Sequence, residues 1–211
     1  MNLRYIGDAL DHWKGSLFER LQAARLLREF AVDALASDAE DWQEADWKLF
    51  AKLLRVKDAQ VIQHSRSLVE DRAGYFEEIA HKGDLFLDPD TGIATGKVSD
   101  ASQYLFAAEL HGLLGRGPDR VVALYQHIRA QKTRDRLQRV VTALKLPDRP
   151  FSCCSYESGT VSMLFLSRSD ARVDSIYQDF ESLLGSHAAR RVYRWQHLQG
   201  SEPGTAPDPA T

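Results

Sequence analysis

The sequence has only two cysteines, and they are adjacent. Cys153 and Cys154 are neighbours in a chain of 211 residues. Neighbouring residues on a strand point to opposite faces, so the two thiols are poorly placed to form a disulfide with each other. No C-x-x-C spacing occurs, which removes the usual signature of a structural zinc site. We therefore expect two reduced cysteines in a cytoplasmic protein.

Long apolar runs and a strong charge imbalance are also missing. No stretch of about 18 consecutive apolar residues exists, so we expect no membrane-spanning segment and no membrane partner. Residues 1–8 lack the apolar region of a signal peptide. The net charge of −3 argues against a protein that coats nucleic acid non-specifically, and a local basic face is still compatible with it.

Helical periodicity alternates with short apolar runs along the chain. The pattern predicts strands at 29–35, 59–65, 84–90 and 119–128, and helices near 8–24, 68–83, 101–117, 132–146 and 171–185. Residues 37–56 begin as an acidic loop and become a further helix. The Ser158-Gly159 dipeptide predicts an antiparallel hairpin between residues 151–157 and 160–168. This order is typical of an α/β fold with a mostly parallel sheet, helices on both faces and a C-terminal hairpin at one edge. We expect one domain over residues 1–199 and a disordered tail over 200–211.

Two carboxylates end one of the buried strands, in the stretch "LFLDPDTGI". Asp88 and Asp90 lie on either side of Pro89, and Gly92 lets the loop turn away. Ligands of open α/β sheets bind outside the carboxyl ends of the strands, where both acids would lie. At about 6 Å and an effective dielectric near 20, two such charges repel by roughly 3 kcal/mol. The pair therefore needs a cation or a shared proton, unless both acids only cap the turn.

Lys14 is the candidate partner for these acids. It lies in the same stripe of the first helix as Leu10, where an unpaired ammonium would be costly to bury. The segment "GDALDHWK" also supplies Asp8, which suits a helix N-cap, and Asp11 beside the lysine. We expect this segment to fold over the carboxyl edge of the sheet, and the alternative is a lysine that reaches past the stripe to solvent.

A third polar group closes the fourth predicted strand. Gln126 and His127 would border the same crevice if the third and fourth strands are neighbours. His127 could then act as a base or a metal ligand, and the alternative is a hydrogen-bonded bystander. The basic helix that follows is either a solvated face or a surface that attracts phosphates. Its arginines are Arg134, Arg136 and Arg139.

Three stretches resemble a group of uncharacterised bacterial proteins. These are "YIGDALDHWK", "DLFLDPDTGI" and "VVALYQHI", which match G-D-x-x-D-x-x-K, D-P-D-x-G and Y-Q-H motifs. More distantly, the chain is similar to S-adenosylmethionine-dependent methyltransferases of the ribosomal-RNA adenine type. That resemblance matches Lys14 to the lysine of an N-terminal H-A-D-x-x-K-H segment, and Asp88-Pro89 to the first half of D-P-P-Y. It implies a Rossmann-like three-layer sandwich whose reversed edge is the terminal hairpin.

The resemblance leads to a first hypothesis, a methyltransferase-like enzyme that acts on nucleic acid with S-adenosylmethionine. Asp88 would accept a hydrogen bond from the target amine, and Lys14 and the basic helix would meet phosphates. Asp88, Lys14 and His127 would be the catalytic residues. The substrate-binding residues would be Asp8, Asp11, Asp90, Gly92 and Gln126.

Two other hypotheses remain open. In the second, Asp88 and Asp90 hold Mg²⁺ or Mn²⁺ in a phosphodiesterase or nuclease, with Lys14 stabilising charge on the phosphate. In the third, the chain is a non-catalytic binding module of the same fold. The loop after the first strand, "ALASDAED", has no glycine-rich turn, and "VIQHSRS" has no acid for ribose hydroxyls, which favours the third hypothesis.

Overall fold

The computed structural model describes residues 1–64, 68–117, 119–128, 133–146 and 149–198. The predicted tail, 200–211, lies outside these ranges. Within them, six α-helices and eight β-strands follow one another along the chain. No helix of the described residues is long and apolar enough to cross a membrane.

Helices and strands have the following bounds. The helices are α1 Ala9–Ala23, α2 Glu44–Leu53, α3 Arg72–Glu78, α4 Ala107–Leu114, α5 Thr133–Ala143 and α6 Asp170–Leu184. The strands are β1 Ala31–Asp33, β2 Leu85–Leu87, β3 Gly92–Ile93, β4 Tyr104–Leu105, β5 Val122–His127, β6 Phe151–Ser158, β7 Val161–Ser167 and β8 Val192–Leu198. All six predicted helices form, several of them shorter than predicted because their ends become loops or 3₁₀ turns.

Six strands form one mixed sheet in the order β1-β2-β5-β7-β6-β8. Strands β1, β2 and β5 pair in parallel, whereas β7 runs antiparallel to β5, β6 to β7 and β8 to β6. The α/β class and the C-terminal hairpin are confirmed. The tight turn at Gly159, which adopts φ 65°, reverses the chain between β6 and β7. The mostly parallel sheet of the prediction is corrected to a mixed one, because this hairpin and β8 contribute three antiparallel pairings.

Two apolar clusters lie on opposite faces of the sheet. Phe86 belongs to one cluster, and its strand neighbours Leu85 and Leu87 belong to the other, as strand alternation requires. The first cluster contains buried side chains from α1, α2 and α6, and the second contains buried side chains from α3, α4 and α5. Helix α1 therefore packs on the face to which Phe86 points.

The predicted strand at 59–65 is wrong for most of its described length. Val61 makes a single parallel bridge to Val32, and the Ile62 amide donates to the Val32 carbonyl at 2.8 Å. Residues 58–60 form a 3₁₀ turn instead, because the Gln60 side chain accepts from the Lys57 amide and donates to a backbone carbonyl. A local side-chain hydrogen bond thus competes with the strand that the apolar residues favour.

Strand β8 was not predicted. Its sequence, "VYRWQHL", carries an arginine in the middle of a strand, which obscures the alternation. In the structure, Arg194 is held by two carboxylates of α6, with its Nε 2.8 Å from Asp174 and its Nη2 3.1 Å from Asp170. The charge is therefore compensated by a helix that lies far away in sequence.

Both cysteines are buried and unbonded. Cys153 packs in one apolar cluster and Cys154 in the other, so their sulfurs lie on opposite faces of the sheet. Burial raises the pKa of each thiol above its ordinary value. The expectation of two reduced cysteines that do not bridge each other agrees with this geometry.

His111 should make stability depend on pH. Its ring is buried on α4, Nε2 donates to the Leu144 carbonyl at 2.7 Å, and burial lowers its pKa below the ordinary value. The unfolded chain therefore takes up a proton on this residue at a pH where the folded chain does not, and stability falls as the pH drops below about 6.5. When thermal unfolding is measured at several pH values between about 7.5 and about 5, His111→Leu should lose less stability with falling pH than the wild type does. The exposed control His12→Gln should match the wild type, and equal slopes in all three proteins would refute a role for His111.

Candidate functional site

Strand pairing places Asp88 beside Tyr125 at the carboxyl edge of the sheet. Strands β2 and β5 pair in parallel with Leu87 opposite Leu124, and Asp88 and Tyr125 come next on their respective strands. Side chains alternate along a strand, so both residues share the face to which Phe86 points. That face is the one covered by α1.

Lys14 of α1 reaches both residues. Its Nζ donates to Asp88 Oδ2 at 2.7 Å and to Asp11 Oδ1 at 3.0 Å. The same ammonium lies 4.4 Å from the centroid of the Tyr125 ring, within the range of a cation–π contact. The Lys14 side chain is only 5% exposed and that of Asp88 only 3%. The predicted pairing of Lys14 with the strand-end acid is therefore present, and it is buried.

Burial and charge oppose each other in this pair. Burial by itself lowers the pKa of Lys14, but Asp88 and Asp11 outweigh it, and the pKa lies above its ordinary value. Burial raises the pKa of Asp88, although Lys14 counteracts part of that shift. Each charge is thus tolerated because the other is present, and removing the lysine would leave two carboxylates in a nearly dry site.

The start of α1 fixes Asp11 for this role. Asp8 is the N-cap, and its Oδ1 accepts from the Leu10 amide at 2.7 Å and from the Asp11 amide at 3.2 Å. The Gly7 amide then donates to Asp11 Oδ2 at 2.9 Å, which leaves Oδ1 for Lys14. The segment "GDALDHWK" therefore folds over the sheet edge, as the sequence predicts.

Asp90 has partners of its own, so the two acids of the D-P-D stretch do not share a cation. Asp90 Oδ1 lies 3.4 Å from the amino group of Met1, and Ser37 Oγ donates to Asp90 Oδ2 at 3.4 Å. The Met1 amino group also donates to two carbonyls of the loop after β1. Asp88 and Asp90 therefore have separate partners, and only Asp88 contacts Lys14.

A cavity of about 520 Å³ opens beside the buried pair. Six of the predicted site residues line it: Asp8, Asp11, Lys14, Asp88, Asp90 and His127. Its volume falls within the range of small-molecule sites. The sequence therefore located the cavity from three separate stretches of chain.

Gly92 and Gln126 do not line this cavity. The Gln126 side chain is fully buried, accepts from the Ile93 amide at 2.8 Å and donates to the Thr91 carbonyl at 3.3 Å. A Cβ on Gly92 would lie 2.4 Å from the Gln126 amide oxygen, and Gly92 also adopts φ 113°. Both residues hold the loop that carries Asp90, because alternation turns Gln126 to the face opposite His127.

Tyr125, Arg4 and Tyr5 are among the cavity residues that the sequence did not predict. Alternation along β5 could have identified Tyr125, since it shares a face with His127. Tyr5 is 49% exposed, and the Arg4 guanidinium lies 4.5 Å from the centroid of its ring. Nothing in the spacing of the sequence points to Arg4 and Tyr5, which come near the site only because the chain turns before α1.

The cavity carries more negative than positive charge. Its acidic lining residues are Asp8, Asp11, Asp88, Asp90 and Asp100. Its lysine and arginine residues are Lys14 and Arg4. Lys14 is already neutralised by two of the acids, so a phosphate entering the cavity would meet net repulsion. Neutral or cationic ligands suit this cavity better.

The arrangement gives little support to a bound divalent metal ion. Asp88 Oδ2 is occupied by Lys14, and Asp90 is paired elsewhere. Across the described ranges, no group of three or more histidine, cysteine, aspartate or glutamate side chains has the arrangement of a metal site. Carboxylates paired with ammonium groups are poor ligands for Mg²⁺ or Mn²⁺, because binding the metal ion would require breaking the pair first.

The crevice at the carboxyl end of β1 is filled by side chains. Asp33 is fully buried, and its Oδ1 accepts from the Tyr75 hydroxyl at 2.7 Å and from the Leu35 amide at 2.8 Å. His64 Nε2 lies 2.7 Å from Asp33 Oδ2, and the His64 ring stacks on Tyr75 with centroids 3.6 Å apart. Both oxygens of this strand-end acid are therefore used within the protein.

The residues at this crevice do not fit the adenosyl half of S-adenosylmethionine. In folds that bind adenosyl or dinucleotide cofactors there, a glycine-rich turn after the first strand lets the backbone approach the ligand. Here Ala34, Leu35 and Ala36 take that place, and all three are buried in the apolar clusters. Leu35 even adopts φ 43°, a conformation that favours glycine. Side chains occupy the space that a cofactor would need.

Comparison with known proteins identifies no family for this chain. No protein-family model matches it, and a search of curated proteins finds no match. Assignment of a function therefore depends on the geometry of the cavity.

Proposed function

We propose that this chain is a Rossmann-like, methyltransferase-like α/β protein that binds a planar nitrogen-containing ring, such as a nucleobase, in the Lys14–Asp88 cavity. It does so as a binding module, without an adenosyl cofactor. Asp88 is the ligand-binding acceptor, and Lys14 positions it. One observation carries this proposal: Asp88 lines the cavity, with Oδ2 held by Lys14 and Oδ1 without a hydrogen bond to any described residue.

The architecture supports the methyltransferase-like part of the proposal. Helices supply apolar side chains to both faces of the sheet, which suits a three-layer sandwich. The hairpin inserts β7 between β5 and β6, and β8 forms the edge beyond β6. Asp88 follows β2 at the carboxyl edge, where the resemblance puts the first residue of a D-P-P-Y motif.

Asp88 is built to accept one hydrogen bond from a ligand. Lys14 holds Oδ2, and the Asp88 amide donates to the Asp33 carbonyl at 3.0 Å, so the carboxylate cannot easily turn. Oδ1 makes no hydrogen bond with any described residue, and Asp88 lines the cavity. A buried, charged acceptor gains most from an N–H or O–H donor that excludes water.

Shape and charge favour a planar, unphosphorylated ligand. Tyr5 exposes half of its surface at the cavity, backed by Arg4, and so offers a flat aromatic surface on which a ring can stack. The excess of aspartates disfavours a phosphate inside. If the base belongs to a nucleic acid, its phosphates stay outside the cavity, so a nucleic-acid partner remains part of the proposal.

The other two hypotheses receive less support. A methyltransferase needs the adenosyl cofactor whose place the Asp33 network fills. A metal-dependent phosphodiesterase needs carboxylates that are free to bind the metal ion, and Asp88 is paired with Lys14. Lys14 is also already engaged by Asp88 and Asp11, which leaves little of its charge for a phosphate.

Calorimetric titration of nucleosides tests the proposal. Adenosine, cytidine, guanosine and uridine are titrated into the wild type, and at least one should bind with a Kd of about 1 mM or below. Asp88→Asn should weaken that binding by about tenfold, because Lys14 keeps the amide oxygen and turns the NH₂ group towards the ligand's own donor. S-adenosylmethionine carries the same adenine ring, so it should bind no more tightly than adenosine, because no crevice of the described residues accepts its remaining part.

The matched control is Asp179→Asn, at a carboxylate that pairs with Arg20 away from the cavity. It should bind nucleosides like the wild type. Absence of saturable binding for all four nucleosides, or equal affinity in Asp88→Asn, would overturn the proposal. Binding of S-adenosylmethionine at least about tenfold tighter than that of adenosine would revive the methyltransferase hypothesis instead.

A further inference from the structure

Tyr125 has a hydroxyl group that the protein itself does not use. The residue is only 4% exposed, and its ring is held by the Lys14 ammonium and by an edge contact with His127 at 5.0 Å. No hydrogen bond joins the hydroxyl to a described residue, and Tyr125 lines the cavity. The hydroxyl is not among the fully buried polar atoms that lack a partner, so it is accessible to a ligand or to water in the cavity.

The hydroxyl is a hydrogen-bond donor at neutral pH. Burial raises the pKa of Tyr125 above its ordinary value, and the neighbouring carboxylates of Asp88, Asp8 and Asp11 add to the shift. The phenol therefore keeps its proton. It can donate to a ligand atom that carries a lone pair.

Asp88 and Tyr125 are adjacent and have opposite hydrogen-bonding character. They follow the paired residues Leu87 and Leu124 on neighbouring strands, point to the same face and contact the same Lys14 ammonium. Neighbouring strands lie about 4.8 Å apart, and two adjacent atoms on the edge of a heterocycle can meet both groups. Of these two neighbouring side chains, Asp88 accepts a hydrogen bond and Tyr125 can donate one.

We propose that Tyr125 is the second ligand-binding residue of the cavity, and that with Asp88 it selects rings with an amino group next to an unprotonated ring nitrogen. Such an amidine edge donates to Asp88 Oδ1 and accepts from the Tyr125 hydroxyl. A lactam edge places a carbonyl against Asp88 Oδ1, where two acceptors repel each other, and a ring N–H against the Tyr125 hydroxyl, which must then accept instead of donate. This inference rests on the proposed function, because it names the ligand class of the same cavity.

Two matched pairs of nucleosides test this selectivity. Inosine differs from adenosine, and uridine from cytidine, only in that a lactam replaces the amidine edge. The wild type should bind the amino member of at least one pair about tenfold or more tightly than its lactam partner, because a buried polar group left unpaired disfavours the wrong ligand.

Tyr125→Phe is the decisive variant, because it keeps the ring that Lys14 and the core require. Its thermal unfolding should match that of the wild type. Its affinity for the amino nucleosides should fall by about tenfold while its affinity for the lactams stays the same, so that the selectivity shrinks. Asp88→Asn should reverse the preference in favour of the lactam.

The outcomes separate the two proposals. If no nucleoside binds, the proposed function fails, and the ligand class fails with it. If nucleosides bind and Asp88→Asn weakens them while Tyr125→Phe does not, the proposed function stands and the role of Tyr125 is refuted. Equal affinity for amino and lactam nucleosides in the wild type also refutes it.

Discussion

Lys14→Met should destabilise the protein by about 3–5 kcal/mol, one of the two largest effects that we expect from a single substitution. The methionine fills most of the space of the lysine, so packing alone should change little. The loss comes from Asp88 and Asp11, which would remain buried without their shared cation. Chemical denaturation followed by circular dichroism measures the change in the free energy of unfolding.

Two comparisons separate this electrostatic effect from a loss of packing. Lys48→Met removes an exposed lysine that pairs with Glu44 on α2, and it should leave the stability unchanged. Lys14→Met should also recover stability as the pH falls from about 7.5 towards about 5, since an unpaired buried carboxyl group takes up a proton more readily in the folded state. Destabilisation that is the same at both pH values would point to packing.

Asp33→Ala should destabilise the protein by about 3 kcal/mol or more, because it leaves several buried donors unpaired. The Tyr75 hydroxyl, the Leu35 amide and His64 all depend on this one carboxylate. The Leu35 contact has an additional role, since it supports a residue at positive φ directly after β1. The free energy of unfolding of the variant measures how much the filled crevice contributes to the fold.

Tyr75→Phe is the matched control for that prediction. It removes one hydroxyl from the same network and keeps the ring that stacks on His64, so it should cost only about 1 kcal/mol. If Asp33→Ala cost no more than Tyr75→Phe, the network would be a loose surface feature. The crevice at the end of β1 would then be open to a ligand after all.

The fold and the site could be predicted wherever a local rule was sufficient. The N-cap at Asp8, the helical stripe that contains Lys14 and the turn at Gly159 each depend on residues close together in sequence, and all three are present. The meeting of Lys14 with Asp88 was also predicted, because a buried lysine and a strand-end acid each require a partner of opposite charge.

Other features depend on contacts between distant segments, which a local pattern does not contain. Where a strand was predicted near Val61, the chain forms a 3₁₀ turn that the Gln60 side chain stabilises. Strand β8 was missed because its central charge, Arg194, is compensated by carboxylates of α6. The polar pair Gln126-His127 at the end of β5 favours Gln126 as a site residue, but alternation along a strand sends its side chain to the opposite face and places Tyr125 on the face of His127.

A double-mutant cycle between Lys14→Met and Asp88→Asn tests the central claim most directly, namely that these two residues form one buried, mutually neutralising pair at the base of the cavity. Free energies of unfolding are measured for the wild type, both single variants and the double variant. We predict that Lys14→Met is the more destabilising single substitution, since it also leaves the Asp11 carboxylate without its cation. The coupling energy should be at least about 1.5 kcal/mol, because the second substitution removes a charge that the first left unpaired. Additive effects, with a coupling within about 0.5 kcal/mol of zero, would contradict the pairing and the binding site built on it.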